Sequence, residues 1–427
     1  MSGVGFARVE VVGAGLAGLS AAVELVRAGA TVTISEGTPR AGGRCRSYYD
    51  PQLGLTIDNG NHLVLAGNPA VARFRAGVGA VEPLAGPPHA DFAFADLASG
   101  ERWCLRINDG PVPWWVLVPS RRVPGSRLVD YLPLGKLLKG RADQAIGTLV
   151  KPTGPVWDRM LRPVLLAALN TEPAEASAGL AANVLAETLA KGGRASAPRV
   201  AVPTLAAAFV DPAVAWLAGH GVTLATGRRL KAIRFAGDRV TALEWTDGEQ
   251  AIGADVAVVL AVPAWVAGAL VPELSVPDDH RSILNAHFAV APPVGAPEIL
   301  GLVNATSEWI FTHPDRISVT VSGADRMIDD DREGLARGIW GEVVQALGLT
   351  DTPMPAWQIV KEKRATFAAT PAQDALRPPA RTRWRNLFLA GDWVQNGLPA
   401  TIEGALRSGD TAARLVLGQP LVYGPQR

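Results

Sequence analysis

Val9-Glu10-Val11-Val12-Gly13-Ala14-Gly15-Leu16-Ala17-Gly18 decides the fold. A short β-branched run meets three spaced glycines at once. Good helix formers follow from Leu19 to Arg27, with Gly29 as a stop, and Ala30 to Ser35 is a second β-branched run ending at Glu36. Strand, glycine turn, helix, strand and acid stand in the order that a dinucleotide-binding unit needs. Gly13 allows the tight turn, Gly15 lets the backbone approach a pyrophosphate, and Gly18 lets the helix lie close to the sheet. The free N–H groups from Leu16 through Ala17 to Gly18 then face the phosphates with the positive end of the helix dipole. Glu36 is placed to accept from an adenosine ribose, and its charge disfavours a 2′-phosphate.

Outward from there, Arg40-Ala41-Gly42-Gly43-Arg44 sets two bare glycines between two cations. That patch suits a pyrophosphate approached from its second side; the alternative is an exposed basic loop. Asp58-Asn59-Gly60-Asn61-His62 is a polar turn able to approach a planar ring. At the far end, Asn386 to Asp392 reads as a buried strand closing on Gly391-Asp392, where Asp392 can take a polyol hydroxyl. Thr401-Ile402 then opens a helix running through Leu417, whose first N–H groups can face an electron-rich carbonyl. Between these ends, Gly227 to Ile233 reads as a strand, Asp247-Gly248 closes a hairpin, and Val256 to Val262 reads as a buried strand leading into a helix. The uncharged run from Val256 to Val271 imitates a membrane span, but Pro263 interrupts it and 16 residues fall short of a crossing helix.

Composition narrows the classes. The chain has 427 residues, 48% hydrophobic and 19% charged, with a net charge of +1. It is long enough for two or three domains with a real core, and it carries no cationic excess to hold a nucleic acid. Cys45 and Cys104 make no disulfide framework, and the six histidines show no metal spacing, so no metal is expected. No signal peptide is evident and a reducing, cytoplasmic setting is expected.

Together the glycine turn with its acid, the Arg-x-Gly-Gly-Arg stretch and the C-terminal Gly-Asp with its helix resemble the flavin-containing amine oxidase and carotenoid desaturase superfamily. The resemblance implies FAD, with Glu36 at the adenosine ribose, the backbone near Leu230 at adenine, Arg44 at the diphosphate and Asp392 at the ribityl chain. Within that superfamily the chain is most similar to the hydroxysqualene dehydroxylase family. Ile57-Asp58-Asn59-Gly60-Asn61-His62, Leu166 to Pro173, Glu362 to Thr366, and Gly391-Asp392-Trp393 through Ala405 carry this similarity. Asn61 departs from the glutamine expected there by one methylene.

The similarity implies reductive removal of an allylic hydroxyl from hydroxysqualene, a C30 isoprenoid, to give squalene for hopanoid synthesis. Reduced flavin is the implied hydride source, and an acid must protonate the leaving oxygen. His62 and Glu172 are the candidate catalytic acids. Their structural alternatives are a hydrogen-bonding histidine and a first-turn acid after Thr171, ahead of an alanine-rich helix. Cys45 reads as a small buried residue, a covalent flavin link being the other option. Only one GxGxxG occurs, so the external electron donor stays unassigned. Oxidative readings remain beside this one: carotenoid-type desaturation, or amine oxidation with Trp393 as half of an aromatic cage and Lys361 or Lys363 at the flavin. A non-catalytic flavoprotein in a terpenoid assembly is the alternative from another class.

The expected architecture is α/β. A discontinuous Rossmann-like FAD-binding domain of the glutathione-reductase type takes residues 1–75, 200–270 and 375–427, and a mixed sheet-and-helix (α+β) substrate domain takes 76–199 and 271–374. In the latter, Trp114 and Trp115 precede Arg121, Arg122, Arg127, Lys136, Lys139 and Arg141. Aromatic residues followed by scattered cations suit a monotopic contact with the cytoplasmic membrane; a buried cap over a substrate tunnel is the other reading.

Overall fold

The computed structural model describes residues 6–271, 273–349 and 352–423. Residues 1–5 and 424–427 of the expected dinucleotide domain, and 272, 350 and 351 of the expected substrate domain, lie outside them.

The opening strand, Arg8–Val12, is central to a five-stranded parallel sheet. Thr31–Glu36 and Thr223–Thr226 lie to one side, and Val256–Leu260 and Leu387–Leu389 to the other. Val256–Leu260 is buried at every position, as a strand covered on both faces must be. The chain first builds one way from the opening strand and later the other. The crevice beyond Val12 and Leu260 is therefore the topological switch point, where parallel sheets bind ligands. Helix Leu16–Arg27 covers one face and is crossed by the closing helix Ile402–Leu417. They touch so closely that a Cβ on Gly409 would lie 2.2 Å from the carbonyl oxygen of Ala17.

A three-stranded meander, Leu230–Ala236, Arg239–Trp245 and Gly248–Ala251, makes the expected hairpin, but its turn is Thr246-Asp247, one residue earlier than expected, and Gly248 already pairs with Trp245. Its first strand starts three residues later than the sequence suggests. Gly227 and Arg228 instead donate their N–H groups to the carbonyls of Thr38 and Glu36, both at 2.9 Å.

A second, seven-stranded sheet runs Trp357–Phe367, His280–Phe288, Arg316–Val321, Trp309–His313, Ile299–Val303, Ala90–Asp96 and Arg102–Ile107. Pleat alternation gives it two unlike faces. Leu284, Ala286, Phe288, Ile317, Val319 and Val321 form an apolar core with helix Arg332–Leu347, where Phe288 meets Trp340 at 5.0 Å. Asn285, His287, Ser318 and Thr320 alternate with those residues and are also buried. No helix among the described residues is long and apolar enough to cross a membrane.

Candidate active site

Three glycines in the first turn have different jobs. Gly13 has a φ of +106°, and a Cβ there would lie 2.4 Å from the carbonyl oxygen of Ala261. A Cβ on Gly18 would lie 2.0 Å from the carbonyl oxygen of Gly13. Both are packing constraints. A Cβ on Gly15 would meet nothing within 4 Å. Gly15 is the N-cap of helix Leu16–Arg27, which has no capping side chain and no acid in its first turn. This end therefore offers uncompensated N–H groups and open space, the chemistry an anion needs.

The second glycine stretch completes the cradle. Gly42 donates its N–H to the carbonyl of Ala14 at 2.8 Å, and Gly15 and Gly42 form an isolated parallel bridge. Gly43 faces Gly15 across that bridge, with 3.4 Å between a Cβ on the former and the Cα of the latter. Glu36 stands beside it: Oε2 accepts from the N–H of Ala14, and Oε1 from the N–H and hydroxyl of Thr38, each at 2.8 Å. Leu16 and Ala17 are buried, and Arg40 is exposed. Leu230 is buried at the head of its strand, two residues after the Arg228–Glu36 tie.

Arg44 and Asp392, 348 positions apart, form an ion pair at 2.6 Å. The other arm of Arg44 donates to the carbonyl of Ala365 at 2.5 Å. Asp392 is held in turn by Arg377, which is buried and donates to the carbonyls of Asp392 at 3.1 Å and Val394 at 2.8 Å, and to Asn396 Oδ1 at 3.0 Å. Sequence reading missed Arg377, because most of its acceptors are main-chain atoms of a loop 15 or more residues away. Thr401 caps the closing helix by accepting from the N–H of Gly404 at 3.0 Å, with Ile402 buried beside it. Gly391 has φ +154° and packs on the indole of Trp393, 2.4 Å from where its Cβ would lie.

Several of these residues border one continuous cavity of about 340 Å³ that opens to solvent, within the roughly 300–1,000 Å³ of an ordinary ligand pocket. Leu16, Gly42, Arg44, Asn59, Gly60, Asp392, Thr401 and Ile402 line one part. Val164, Leu165, Ala168, Val184, Leu185, Leu189, Phe92 and Phe311 line an apolar part. Across it the polar face of the large sheet supplies Asn285, Thr320 and Ser322. Asn61 fixes that face to the flavin-facing turn expected from sequence, donating to Thr320 Oγ1 at 3.1 Å and, through its N–H, to Asn285 Oδ1 at 3.2 Å.

His62 lines the cavity, and burial together with the nearby Arg44 pushes its pKa down to about 4. It is therefore neutral at pH 7 and makes no hydrogen bond among the described residues. Glu172 is elsewhere. Its carboxylate takes both arms of Arg162, at 3.0 and 2.9 Å, is 43% exposed, and is absent from the cavity wall. The expected helix start after Thr171 also moves: Ser177 is the cap, accepting from the N–H of Leu180 at 3.3 Å, and the helix is Ala178–Glu187. The neighbours of Glu172 hold the site instead. Asn170 ends helix Arg162–Leu169 with φ +47°, accepts from the N–H of Gly323 at 2.7 Å and donates to Thr366 at 3.0 Å. Thr171 accepts from the N–H of Ala369 at 2.8 Å.

Two further acids face the cavity: Glu187, which no sequence signal marked, and Glu403, which lies in the C-terminal stretch that carries the family similarity but was given no role. Glu187 and Glu403 clasp Arg407, with Glu403 also accepting from the N–H groups of Ala70 and Val71 at 3.0 Å. A third, Glu308, stands one hydrogen bond behind the wall, accepting from the N–H of Ser322 at 2.6 Å, and burial pushes its carboxyl up to about 7. Cys45 is buried and burial pushes its thiol up to about 12, so it is held as an inert thiol.

The family model described as flavin containing amine oxidoreductase matches residues 16–417. The chain belongs to that family. Within it, the chain is 50% identical over 411 residues to a hydroxysqualene dehydroxylase of Rhodopseudomonas palustris, covering 96% of this chain and 98% of that one. It is 47% identical, over the same shares, to a hydroxysqualene dehydroxylase of Sinorhizobium fredii. Among solved structures, the cyclohexylamine oxidase of Brevibacterium oxydans superposes with a TM-score of 0.70 over 97% of this chain and 99% of that one, at 16% identity, a likeness of fold. This flavin oxidoreductase family includes amine oxidases, yet the groups that would make an amine cage are turned away here. The indole of Trp393 donates to the carbonyl of Val262 at 2.8 Å and is 3% exposed. Lys361 and Lys363 hold Asp330 and Asp329 on the outside of the molecule.

Proposed function

We propose that this flavin oxidoreductase binds FAD and reductively removes the hydroxyl of hydroxysqualene to give squalene. One observation carries the reading: a single cavity joins an anion-binding glycine cradle to a long apolar wall, in a chain half identical to a hydroxysqualene dehydroxylase over nearly its whole length.

The residues present fit the cofactor. The open cradle at Gly15 and Gly42-Gly43, with the bare helix end behind it, would hold the diphosphate. Glu36 would take the adenosine ribose and the main chain at Leu230 the adenine. Arg44 and Asp392 would hold the diphosphate region and ribityl chain, and Asn59, Gly60 and the helix end at Thr401-Ile402 would meet the ring. FAD in its reduced form supplies a hydride.

The rest of the chemistry belongs to the protein. The substrate alcohol plus one hydride and one proton becomes squalene plus water. Leaving as hydroxide in an apolar pocket is prohibitive, so the oxygen must be protonated as the carbon–oxygen bond breaks. The apolar wall from Phe92 to Leu189 holds the hydrocarbon and excludes water. Asn285, Thr320 and Ser322 supply hydrogen bonds that orient the alcohol. His62, on the same wall, is the candidate proton donor. Its low pKa makes it a strong acid once charged, and a neighbouring anion raises the share that is charged. Asp392 already acts in that direction.

The test is anaerobic incubation of the reduced holoenzyme with hydroxysqualene. Squalene formation supports the proposal. Oxidation of a supplied amine or of phytoene would replace it with the oxidative chemistry of the wider family, and bound FAD with no turnover of any of these would leave a non-catalytic flavoprotein.

A further inference from the structure

Exposed apolar side chains are concentrated in one short stretch. Of fourteen large apolar side chains exposed among the described residues, seven fall within residues 112–138. Trp114, Leu117, Leu128, Val129, Leu132 and Leu138 are 42–67% exposed. This is not loose chain. Trp115, expected from sequence to share the outer face with Trp114, points inward instead and meets Tyr131 edge-on at 5.5 Å. The hydroxyl of Tyr131 accepts from the N–H of Val123 at 2.9 Å, and Asn108 Oδ1 accepts from the N–H of Trp115 at 3.1 Å. The inward ring and these bonds preform a surface on which the other apolar groups are held outward.

The same stretch is locally cationic although the whole chain carries only +1. Arg127 pairs with Asp130, and Arg141 with Asp143. Arg121, Arg122, Lys136 and Lys139 have no carboxylate partner among the described residues. The guanidinium of Arg121 lies over the ring of Trp114 at 4.7 Å, joining an apolar and a cationic group in one unit.

The surface is also one helix away from the cavity. Helix Leu132–Leu137 packs on helix Ala178–Glu187, whose Val184 and Leu185 line the cavity. The approach is close enough that a Cβ on Gly140 would lie 2.4 Å from the carbonyl oxygen of Ala178, and one on Gly179 would lie 2.6 Å from the N of Ala142.

We propose that residues 112–139 form a monotopic docking surface for an anionic lipid bilayer, through which apolar substrate reaches the cavity. Exposed apolar groups interspersed in sequence with unpaired cations bind by insertion at the headgroup level and by attraction to anionic lipid. The docking surface stands on these side chains alone; its use for substrate entry rests on the function proposed above.

Flotation of the full-length holoenzyme with phosphatidylcholine vesicles, with and without phosphatidylglycerol, tests it. The wild type floats with the anionic vesicles and is released by high salt. Leu117→Ser with Leu132→Ser lowers the bound fraction at least about fivefold. Lys136→Gln with Lys139→Gln lowers it at low salt only. Both variants keep the wild-type melting temperature and turn over detergent-dispersed hydroxysqualene within about twofold of wild type, because neither pair lines the cavity. Absence of vesicle binding by the folded wild type overturns the proposal, as does binding unchanged in both variants. A wild-type oligomer that the Leu117→Ser, Leu132→Ser variant dissolves, seen by light scattering, would assign the patch to self-association. Vesicle binding without squalene formation would keep the docking surface and remove only its substrate.

Discussion

At the residue scale, the glycines of the first turn separate folding from binding. A methyl group at Gly15 meets open space, whereas at Gly13 or Gly18 it meets a carbonyl oxygen at 2.4 or 2.0 Å. Gly15→Ala should therefore fold as the cofactor-free protein with a loss of about 1 kcal/mol or less, yet purify with little bound flavin. Gly18→Ala should lose about 3 kcal/mol or more, because backbone cannot move aside cheaply. Thermal melts and the absorbance of bound flavin separate the two. Arg44→Ala should also lower flavin content. Its stability cost stays near about 1–2 kcal/mol, since the side chain is 38% exposed and solvent discounts the pair. The three glycines and Glu36 were legible in sequence because the strand–turn–helix–strand spacing around them is fixed, although Gly13 meets Ala261 and Glu36 meets Ala14 only in the fold. Glu172 was not: its sequence neighbours say helix start, and only the folded chain brings Arg162 to it.

At the element scale, the loop from Asp392 to Asn396 is held by one guanidinium. Arg377 is 4% exposed and donates to three main-chain carbonyls and a side-chain amide of that loop, while its other arm pairs with Asp374 at 2.8 Å. Arg377→Ala should cost about 3–5 kcal/mol, because buried acceptors and a partly buried acid are left unpaired. Arg377→Lys should rescue little of this, a single ammonium being unable to span the same acceptors. Urea unfolding of both variants measures the difference. The strand and helix on either side of this loop were readable from their periodicity. The clamp was not, since any arginine in the preceding segment fits the same local pattern. The polar alternation Ser318-Val319-Thr320-Val321-Ser322 was opaque for a related reason. Such a pattern reads as a strand half in water, and here Thr320 and Ser322 on its polar side face the interior cavity.

At the scale of the whole molecule, three histidines are folded in neutral form. Burial pushes His287 and His313 down to about 3 and His62 to about 4, from an ordinary 6.5. Because the folded pKa values lie below the unfolded ones, the unfolded chain binds more protons. Their contribution is present above about pH 6.5 and is lost as pH falls toward 3. The melting temperature should drop through that window, and His313→Gln should shallow the drop. Glu308 has the opposite sign. Its carboxyl is raised from 4.5 to about 7, so its contribution is present below 4.5 and lost as pH rises through 7. Glu308→Gln should flatten the melting temperature over that range. Four strands of the parallel sheet were legible because they announce themselves by apolar runs and by the motifs at their ends; the fifth, Thr223–Thr226, was not, being an edge strand with no buried position. The seven-stranded sheet was not, because Ala90–Asp96 and Ile299–Val303 pair across some two hundred residues with no local mark.

The central claim is that this cavity reduces an alcohol, with one hydride consumed for each squalene made. Stopped-flow mixing of anaerobically reduced holoenzyme with hydroxysqualene tests it most directly. The account predicts return of the oxidised flavin spectrum with one equivalent of squalene per flavin. A flavin that stays reduced with hydroxysqualene, in an oxidised enzyme that is bleached by an amine or by phytoene, would contradict it.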